Sequence, residues 1–347
     1  MTEQQIVDLP ASKFLALDDV DEQLPREKNV LGVINYTSSA ADPEVSRGHL
    51  RVDIHMAGSE ADGFAEVWTT DRPVETGEFG GIGYAHDDEY LLCAGRIAPA
   101  EHYAEGTRVA YQAMLELMDS LGYKNCVRMW NFVNHINEDN SEGMEIYRDF
   151  CKGRAEAFEL FHFGDTSVPS ATGIGSLGGG IAFYVLASRS AALIPIENSK
   201  QISAYNYPKQ YGPRPPKFAR ATYLSTTGAD RISGQIYVAG TSSIRGHETL
   251  FAGDVEKQTL LALENIAHLV GPENLADYQI EQRNALADLD TIKVYVRHRD
   301  DIPAVQRICA EHFSPDAQVA YLNVDVCRSD LSVEIEGIVH AANRGAA

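Results

Sequence analysis

The chain has 347 residues, 44% hydrophobic and 23% charged, a globular balance that at this length favours two domains over a single core. With 50 acidic against 29 basic residues the formal net charge is −21, a field that repels nucleic acid and anionic membrane alike. A small anionic substrate fits such a chain only where arginines are gathered locally.

The opening MTEQQIVDLPASKF has neither a basic start nor an apolar core, so no signal peptide is expected, and residues 1–30 read as a loose acidic lead-in. No apolar run approaches the roughly 20 residues of a membrane span. Strand-like runs follow at Val30–Thr37, Leu50–His55 and Ala65–Thr70, then a turn-rich segment Thr76–Tyr84 and a strand Tyr90–Ile97. Periodicity predicts a helix over Glu105–Leu121 with Val109, Met114, Leu115 and Met118 on one face, a strand over Cys126–Val133 and a helix over Gly143–Phe158. A Pro/Gly/Ser loop then leads into the strand Ile181–Ser188. The five cysteines (Cys93, Cys126, Cys151, Cys309, Cys327) form no C-x-x-C pair. They read as free thiols of a cytoplasmic protein with no zinc framework and no bound cofactor.

The second half repeats this order. Ile236–Ile244 parallels Tyr90–Ile97, and the helix Asp254–Leu269 parallels the first helix. The strand Thr291–Arg297, the helix Ile302–Phe313 and the strand Leu331–His340 parallel the remaining three elements. The order points to duplication of a βαβα-type unit, each copy an α+β layer of one sheet with two helices on one face. The expected domains are 1–197 and 198–347, joined through the Pro- and Tyr-rich Asn198–Lys217. Gly173, Gly175 and Gly178 fit G-x-G-x-x-G, but a loop precedes them and a β-rich run follows. Without a helix N-terminus to hold pyrophosphate, a dinucleotide site is rejected.

Three stretches could carry chemistry. In Val326–His340, VCRSDLSVEIEGIVH, Glu334 and Glu336 alternate with Val333 and Ile335, the pattern of an ordinary solvated strand face. The first copy, however, has no acidic residue between Asp165 and Glu197, so nothing there matches Glu334. A carboxylate required by the fold should occur in both copies, which leaves one functional acid per chain as the alternative. In the helix around Tyr147, the residues Met144, Tyr147, Cys151, Arg154 and Phe158 share a face, and a buried Arg154 needs an anion, from the protein or from a substrate. The join carries Tyr205, Tyr207, Tyr211, Arg214 and Arg220 in a proline-stiffened loop, a binding wall or interdomain packing.

The segments YGPRPPKFARAT, GQIYVAGTSSIRGHETL, DVEKQTLLALENI and LSVEIEGIV resemble a YjgF-like domain, the fold of the reactive-imine deaminases. Together with MWNFVNHINEDN, YRDFCKGRAEAF, ATGIGSLGGG and QISAYNYPKQYGPR they resemble the chorismatase family over residues 80 to 341. Imine deaminases of this fold hold the substrate carboxylate with an arginine shortly before the closing strand, and Ile308 to Cys327 contains none.

The resemblance implies that Glu334 is the general acid and that Tyr147, Arg154, Tyr205, Tyr211 and Arg220 line a chorismate site. It further implies that Gly240 and Cys327 mark the branch that forms 3-hydroxybenzoate and pyruvate. Two alternatives stay open: hydrolysis to a dihydroxycyclohexadiene carboxylate plus pyruvate, and a non-catalytic ligand-binding protein. YjgF-like domains often form trimers with sites between subunits, and a duplicated chain meets that need internally as a monomer or small homo-oligomer. If Cys327 and Glu334 face one substrate, the intervening CRSD must turn, because their odd separation puts them on opposite faces of a straight strand.

Overall fold

The computed structural model describes residues 9–341 apart from 19, 26, 60–61, 162–167 and 226–230. Residues 1–8, 19 and 26 of the expected lead-in lie outside the described residues; within the rest, a strand and a short helix form where a loose segment was expected. Strand β1 (Ala11–Ala16) and the short helix α1 (Val20–Gln23) precede β2 (Asn29–Thr37), β3 (Glu44–Ser46), β4 (His49–His55) and β5 (Phe64–Thr70). These strands form one sheet of order β1-β5-β2-β4-β3, in which β2 and β4 run parallel.

A second sheet is built from β6 (Glu75–Phe79), β7 (Ile82–His86), β8 (Tyr90–Ile97), β9 (Asn125–Asn134), β10 (Ser170–Ser176) and β11 (Ile181–Ser188). Helices α2 (Ala104–Leu121) and α3 (Ile146–Leu160) pack on one of its faces. The third sheet holds β12 (Leu193–Ile196), β13 (Ala221–Ser225), β14 (Gly234–Ser242), β17 (Leu289–Val296), β18 (Val319–Asn323) and β19 (Val333–Val339). Between β14 and β17 come the hairpin β15 (Ile244–Arg245) and β16 (Glu248–Thr249), then α4 (Val255–Val270) and α5 (Pro272–Ala276). Helix α6 (Ile302–Ala310) joins α4 on the outer face of this sheet. The Asp254 carboxylate caps α4 by accepting from the Lys257 backbone N–H at 3.1 Å, satisfying one of the amides that a helix start leaves unpaired.

The duplication is visible strand by strand. The order β10-β9-β11-β8-β7-β6 in the second sheet matches β18-β17-β19-β14-β13-β12 in the third, with β9–β10 and β17–β18 both parallel. The chain is therefore α+β with two YjgF-like units, each a mixed sheet with two helices on one face. The segment expected as a Pro/Gly/Ser loop is in part the strand β10, carrying Gly173 and Gly175; the next element is strand β11, so no helix follows the G-x-G-x-x-G pattern. The turn-rich Thr76–Tyr84 is the hairpin β6–β7.

The first sheet repeats the same core. Its β4-β2-β5-β1 has the order and directions of β10-β9-β11-β8, but only the four-residue α1 stands where the other units carry full helices. The inward faces of all three sheets meet in one core that includes Tyr36, Trp68, Trp130, Tyr184, Tyr237, Tyr295 and Ile338. At its centre Lys293 Nζ lies 2.8 Å from Glu66 and 3.0 Å from Glu336, and it donates to the Tyr36 hydroxyl at 2.9 Å. Lys293 and Glu336 of the third sheet, Glu66 of the first and the Tyr184 hydroxyl of the second thus tie the layers together.

Two details of face differ from expectation. Val109 is 51% exposed, while Tyr111, Met114, Leu115, Leu117 and Met118 point inward. Nine residues, or two and a half turns, separate Val109 from Met118 and place them on opposite sides of α2. Met144 precedes α3, so only Tyr147, Cys151, Arg154 and Phe158 of the expected face lie on that helix.

Candidate active site

Strand β19 sorts its side chains cleanly. Val333, Ile335 and Val339 join the core under α4 and α6, whereas Glu334 and Glu336 turn towards the second sheet. Neither glutamate is solvated: Glu334 is 4% and Glu336 2% exposed, which overturns the solvated-face reading for both. Their surroundings then separate them.

Glu336 is held by cations and donors. Arg128 Nη2 lies 2.8 Å from Oε2; Trp130 Nε1 and the Tyr295 hydroxyl donate to Oε1 at 3.0 and 3.1 Å; Lys293 and the Thr172 hydroxyl are further partners. Burial alone would raise its carboxyl, but Lys293 and Arg128 beside it hold it below the usual carboxylate range. Glu334, two residues away on the same face, forms no ion pair among the described residues. The Ser242 hydroxyl donates to its Oε2 at 3.1 Å, and the Cys327 thiol stands 3.8 Å from the same oxygen. Burial pushes its carboxyl up to about 7, against the opposing hydrogen bond from Ser242. Glu334 is the glutamate that can hold a proton near neutrality.

A cavity of about 290 Å³ opens beside Glu334, between the two helix-bearing units of one chain. Tyr147, Ala171 and Gly173 come from one side, Gly240, Ser242 and Glu334 from the other, and Tyr207, Tyr211, Phe218 and Arg220 from the join. Arg148 and Arg328 complete the basic groups, so three arginines face a site in a strongly acidic chain. Gly173 lets the Tyr147 ring lie against β10, since a Cβ there would sit 2.9 Å from Tyr147 Cε2. A Cβ on Gly240 would lie 1.9 Å from Glu334 Oε1, so any larger residue at 240 must re-aim the carboxyl. Residues Cys327–Asp330 form a bend and turn rather than strand, with the Leu331 N–H donating to the Arg328 carbonyl at 3.1 Å. That turn brings Cys327 and Glu334 to the same cavity. Burial pushes the Cys327 thiol far above its ordinary range, with the Glu334 charge adding to the effect, so the sulfur stays protonated.

The join is anchored as well as lined. Arg220 Nη2 donates to the Tyr207 hydroxyl at 2.7 Å and to the Ile202 carbonyl at 3.2 Å, and its guanidinium lies 5.1 Å from the Phe218 ring centroid. The Tyr211 hydroxyl donates to the His247 carbonyl at 2.7 Å, and the Arg328 guanidinium stacks 4.0 Å from the Tyr211 ring centroid. Arg214 points away and pairs with Glu159 at 2.9 Å, pinning the loop to α3.

Two expected wall residues, Arg154 and Tyr205, are not among those that line the cavity. Arg154 is 2% exposed on α3, 4.9 Å over the Phe150 ring, with Nη2 unpaired and no carboxylate partner among the described residues. Tyr205 lies half-buried in the turn Ala204–Asn206, while Tyr207 reaches the cavity in its place.

The comparisons with known proteins bear on this geometry. Residues 66–187 match the family model described as chorismatase FkbO/Hyg5-like, N-terminal. A 3-hydroxybenzoate synthase of Streptomyces hygroscopicus is 55% identical over 315 residues, covering 91% of this chain and 93% of that protein. The chain belongs to the chorismatase family. A chorismatase of Streptomyces rapamycinicus is 43% identical over 333 residues, spanning 96% of this chain and 98% of its own. The fold also matches a chorismatase crystal structure with a TM-score of 0.92 at 41% identity, over 96% of this chain and 99% of that one.

Sequence reasoning missed several residues of this chorismatase cavity. Arg328 immediately follows Cys327, but only the turn shows that both reach the cavity. Ser242 had a signal, since it lies two residues after Gly240, yet its pairing opposite Glu334 depends on the register of β14 and β19. Among the described residues no group of three or more His, Cys, Asp and Glu side chains could hold a metal ion, and no helix is long and apolar enough to cross a membrane.

Proposed function

We propose that the chain converts chorismate to 3-hydroxybenzoate and pyruvate, with Glu334 as the general acid. The observation that carries this reading is the contrast on β19: a glutamate without a cation, protonated near neutrality and facing the cavity, two residues from one that is fully neutralised. The 55% identity to a 3-hydroxybenzoate synthase supports the choice of reaction.

Cleavage of an enol ether needs a proton at its methylene carbon. Glu334 delivers it and leaves an oxocarbenium ion. The neighbouring ring hydroxyl then attacks the ring carbon that bears the ether, and pyruvate departs as the ketone. The hydroxyl proton replaces the one Glu334 gave, and the arene oxide so formed opens to the phenol. No net water is consumed. Cys327, an inert thiol beside the acid, and Gly240, which leaves the carboxyl its position, keep this course ahead of hydrolysis.

Arg220 presents a guanidinium fork suited to one substrate carboxylate. Arg154 is assigned the second as a buried cation that no described carboxylate neutralises, and this requires it to turn from its place over Phe150 into the cavity it does not line. Arg328, stacked on Tyr211, adds positive potential at the cavity, and Tyr147, Tyr207 and Tyr211 wall the ring from water. Tyr205 is given no contact with substrate, because it does not line the cavity. The lining residues come from both helix-bearing units of the chain, which supports a site that draws on the duplication rather than on a second copy. The test is pyruvate release from chorismate. The wild-type chain should form it, and Glu334→Gln should lower the rate by about 10²–10⁴-fold, the usual worth of a positioned acid. Near-normal turnover in a folded variant removes Glu334 from the mechanism.

A further inference from the structure

Strand β14 does not pair regularly beside the acid. Its ladder with β19 slips between Val238 and Thr241, and the Gly240 N–H is left without a partner on β19. It donates instead across the unit boundary, to Thr172 Oγ1 on β10 at 3.0 Å. The same oxygen accepts from Arg128 Nη2 at 2.5 Å and donates to Glu336 Oε2. One donor and two acceptor sites are the full capacity of a hydroxyl, and all three are used. Thr172 is 1% exposed, and its neighbours Ala171 and Gly173 both line the cavity.

We propose that Thr172 is the positioning residue that fixes the slipped Gly240 backbone against the Glu334 carboxyl and thereby sets how the reaction intermediate is partitioned. Valine at this position matches the shape but offers no donor or acceptor. It leaves the Gly240 amide, the Arg128 fork and one Glu336 oxygen each short of a partner. The bulge that holds Gly240 then loses its tether to the opposite unit. Because Gly240 approaches Glu334 more closely than any side chain could, displacement of that backbone moves the point from which the proton is delivered. The substrate-facing arginines and tyrosines stay in place, so turnover and product identity change more than binding.

The product readout rests on the reaction proposed above; amide exchange does not, so the two ideas can fail separately. Thr172→Val, Thr172→Cys and Thr172→Ser are compared with the full wild-type chain. In Val and Cys, exchange of the Gly240 amide should quicken about tenfold, the loss of roughly one hydrogen bond. Turnover of chorismate should fall on the order of tenfold to a hundredfold, as expected for a misplaced acid. KM should stay near wild type, and product should move from 3-hydroxybenzoate towards the dihydroxycyclohexadiene carboxylate. Serine keeps the hydroxyl and should restore all of these. Unchanged Gly240 exchange in a folded Val or Cys variant overturns the tether. Faster exchange with unchanged turnover and product ratio overturns its role in partitioning. If Val fails to fold, Cys, which keeps the volume and loses most hydrogen-bonding strength, decides by the same criteria. A wild-type chain that releases no pyruvate refutes the reaction and leaves the exchange test standing.

Discussion

Removing the proposed acid should make the protein more stable, and only above a defined pH. Glu334 is buried, and its carboxyl is raised from 4.5 to about 7 chiefly by loss of solvation. Below pH 4.5 the carboxyl is protonated in both folded and unfolded chains and contributes no pH dependence. Between 4.5 and about 7 the unfolded chain ionises first, so the folded state loses relative stability as pH rises. Above about 7 the penalty is complete. A rise of about two and a half pH units, at 1.36 kcal/mol per unit, amounts to about 3 kcal/mol. Glu334→Gln keeps the shape and an oxygen to accept from Ser242, but it never ionises. The difference in unfolding free energy between variant and wild type should therefore be near zero at pH 4.5 and favour the variant by about 3 kcal/mol at pH 8.5. Glu197, whose carboxyl burial also pushes up to about 7, cancels because both proteins carry it. Thermal and denaturant unfolding of the pair across this range measure the gap. A gap that is constant with pH, or that favours wild type at pH 8.5, would refute the claim that Glu334 is a desolvated, proton-holding acid.

Glu336→Gln should have the opposite sign. It leaves Arg128 and Lys293 short of a buried counter-charge and should destabilise the fold by about 3–5 kcal/mol, read as a large drop in Tm. Gly240→Ala combined with Cys327→Ala should turn the Glu334 carboxyl and open space beside it. Chromatography should then show the dihydroxycyclohexadiene carboxylate gaining on 3-hydroxybenzoate, and an unchanged ratio removes both residues as determinants. Arg154→Lys keeps the charge and loses the planar fork, so KM for chorismate should rise by on the order of tenfold in steady-state assays. Unchanged kinetics with a lowered Tm would make Arg154 a purely structural cation.

The helix-bearing units were legible because their elements carry strong periods. Tyr90–Ile97 and Ile181–Ser188 are strands at the residues expected, and α2 begins one residue early. The first sheet shares the strand order of the other two but not their helices, so no 3.6-residue period marked Ala11–Thr70 as a repeat. It also sharpens the argument for a single acid. Glu334 pairs across from Tyr295, as Ala182 does from Phe132 and Phe64 from Tyr36. At the other two places the side chain is apolar, an alanine in one and in the other Phe64, which stacks on Tyr36 at 4.5 Å between centroids. Only the third carries a carboxyl. Strand periodicity did not distinguish Glu334 from Glu336, because both lie on one face; the resemblance chose Glu334, and the physical difference rests on Arg128 and Lys293, far away in the chain. Arg328 and Thr172 were hidden for the same reason: a turn and a cross-unit hydrogen bond have no periodic signature.

The acid and the reaction meet in one assay. Chorismate incubated with the wild-type chain should give pyruvate and 3-hydroxybenzoate in equal amounts, with the rate falling about tenfold per pH unit above pH 7 as Glu334 ionises. Folded Glu334→Gln should give almost neither. Pyruvate released at similar rates by both proteins, or a wild-type product without the aromatic acid, would contradict the account.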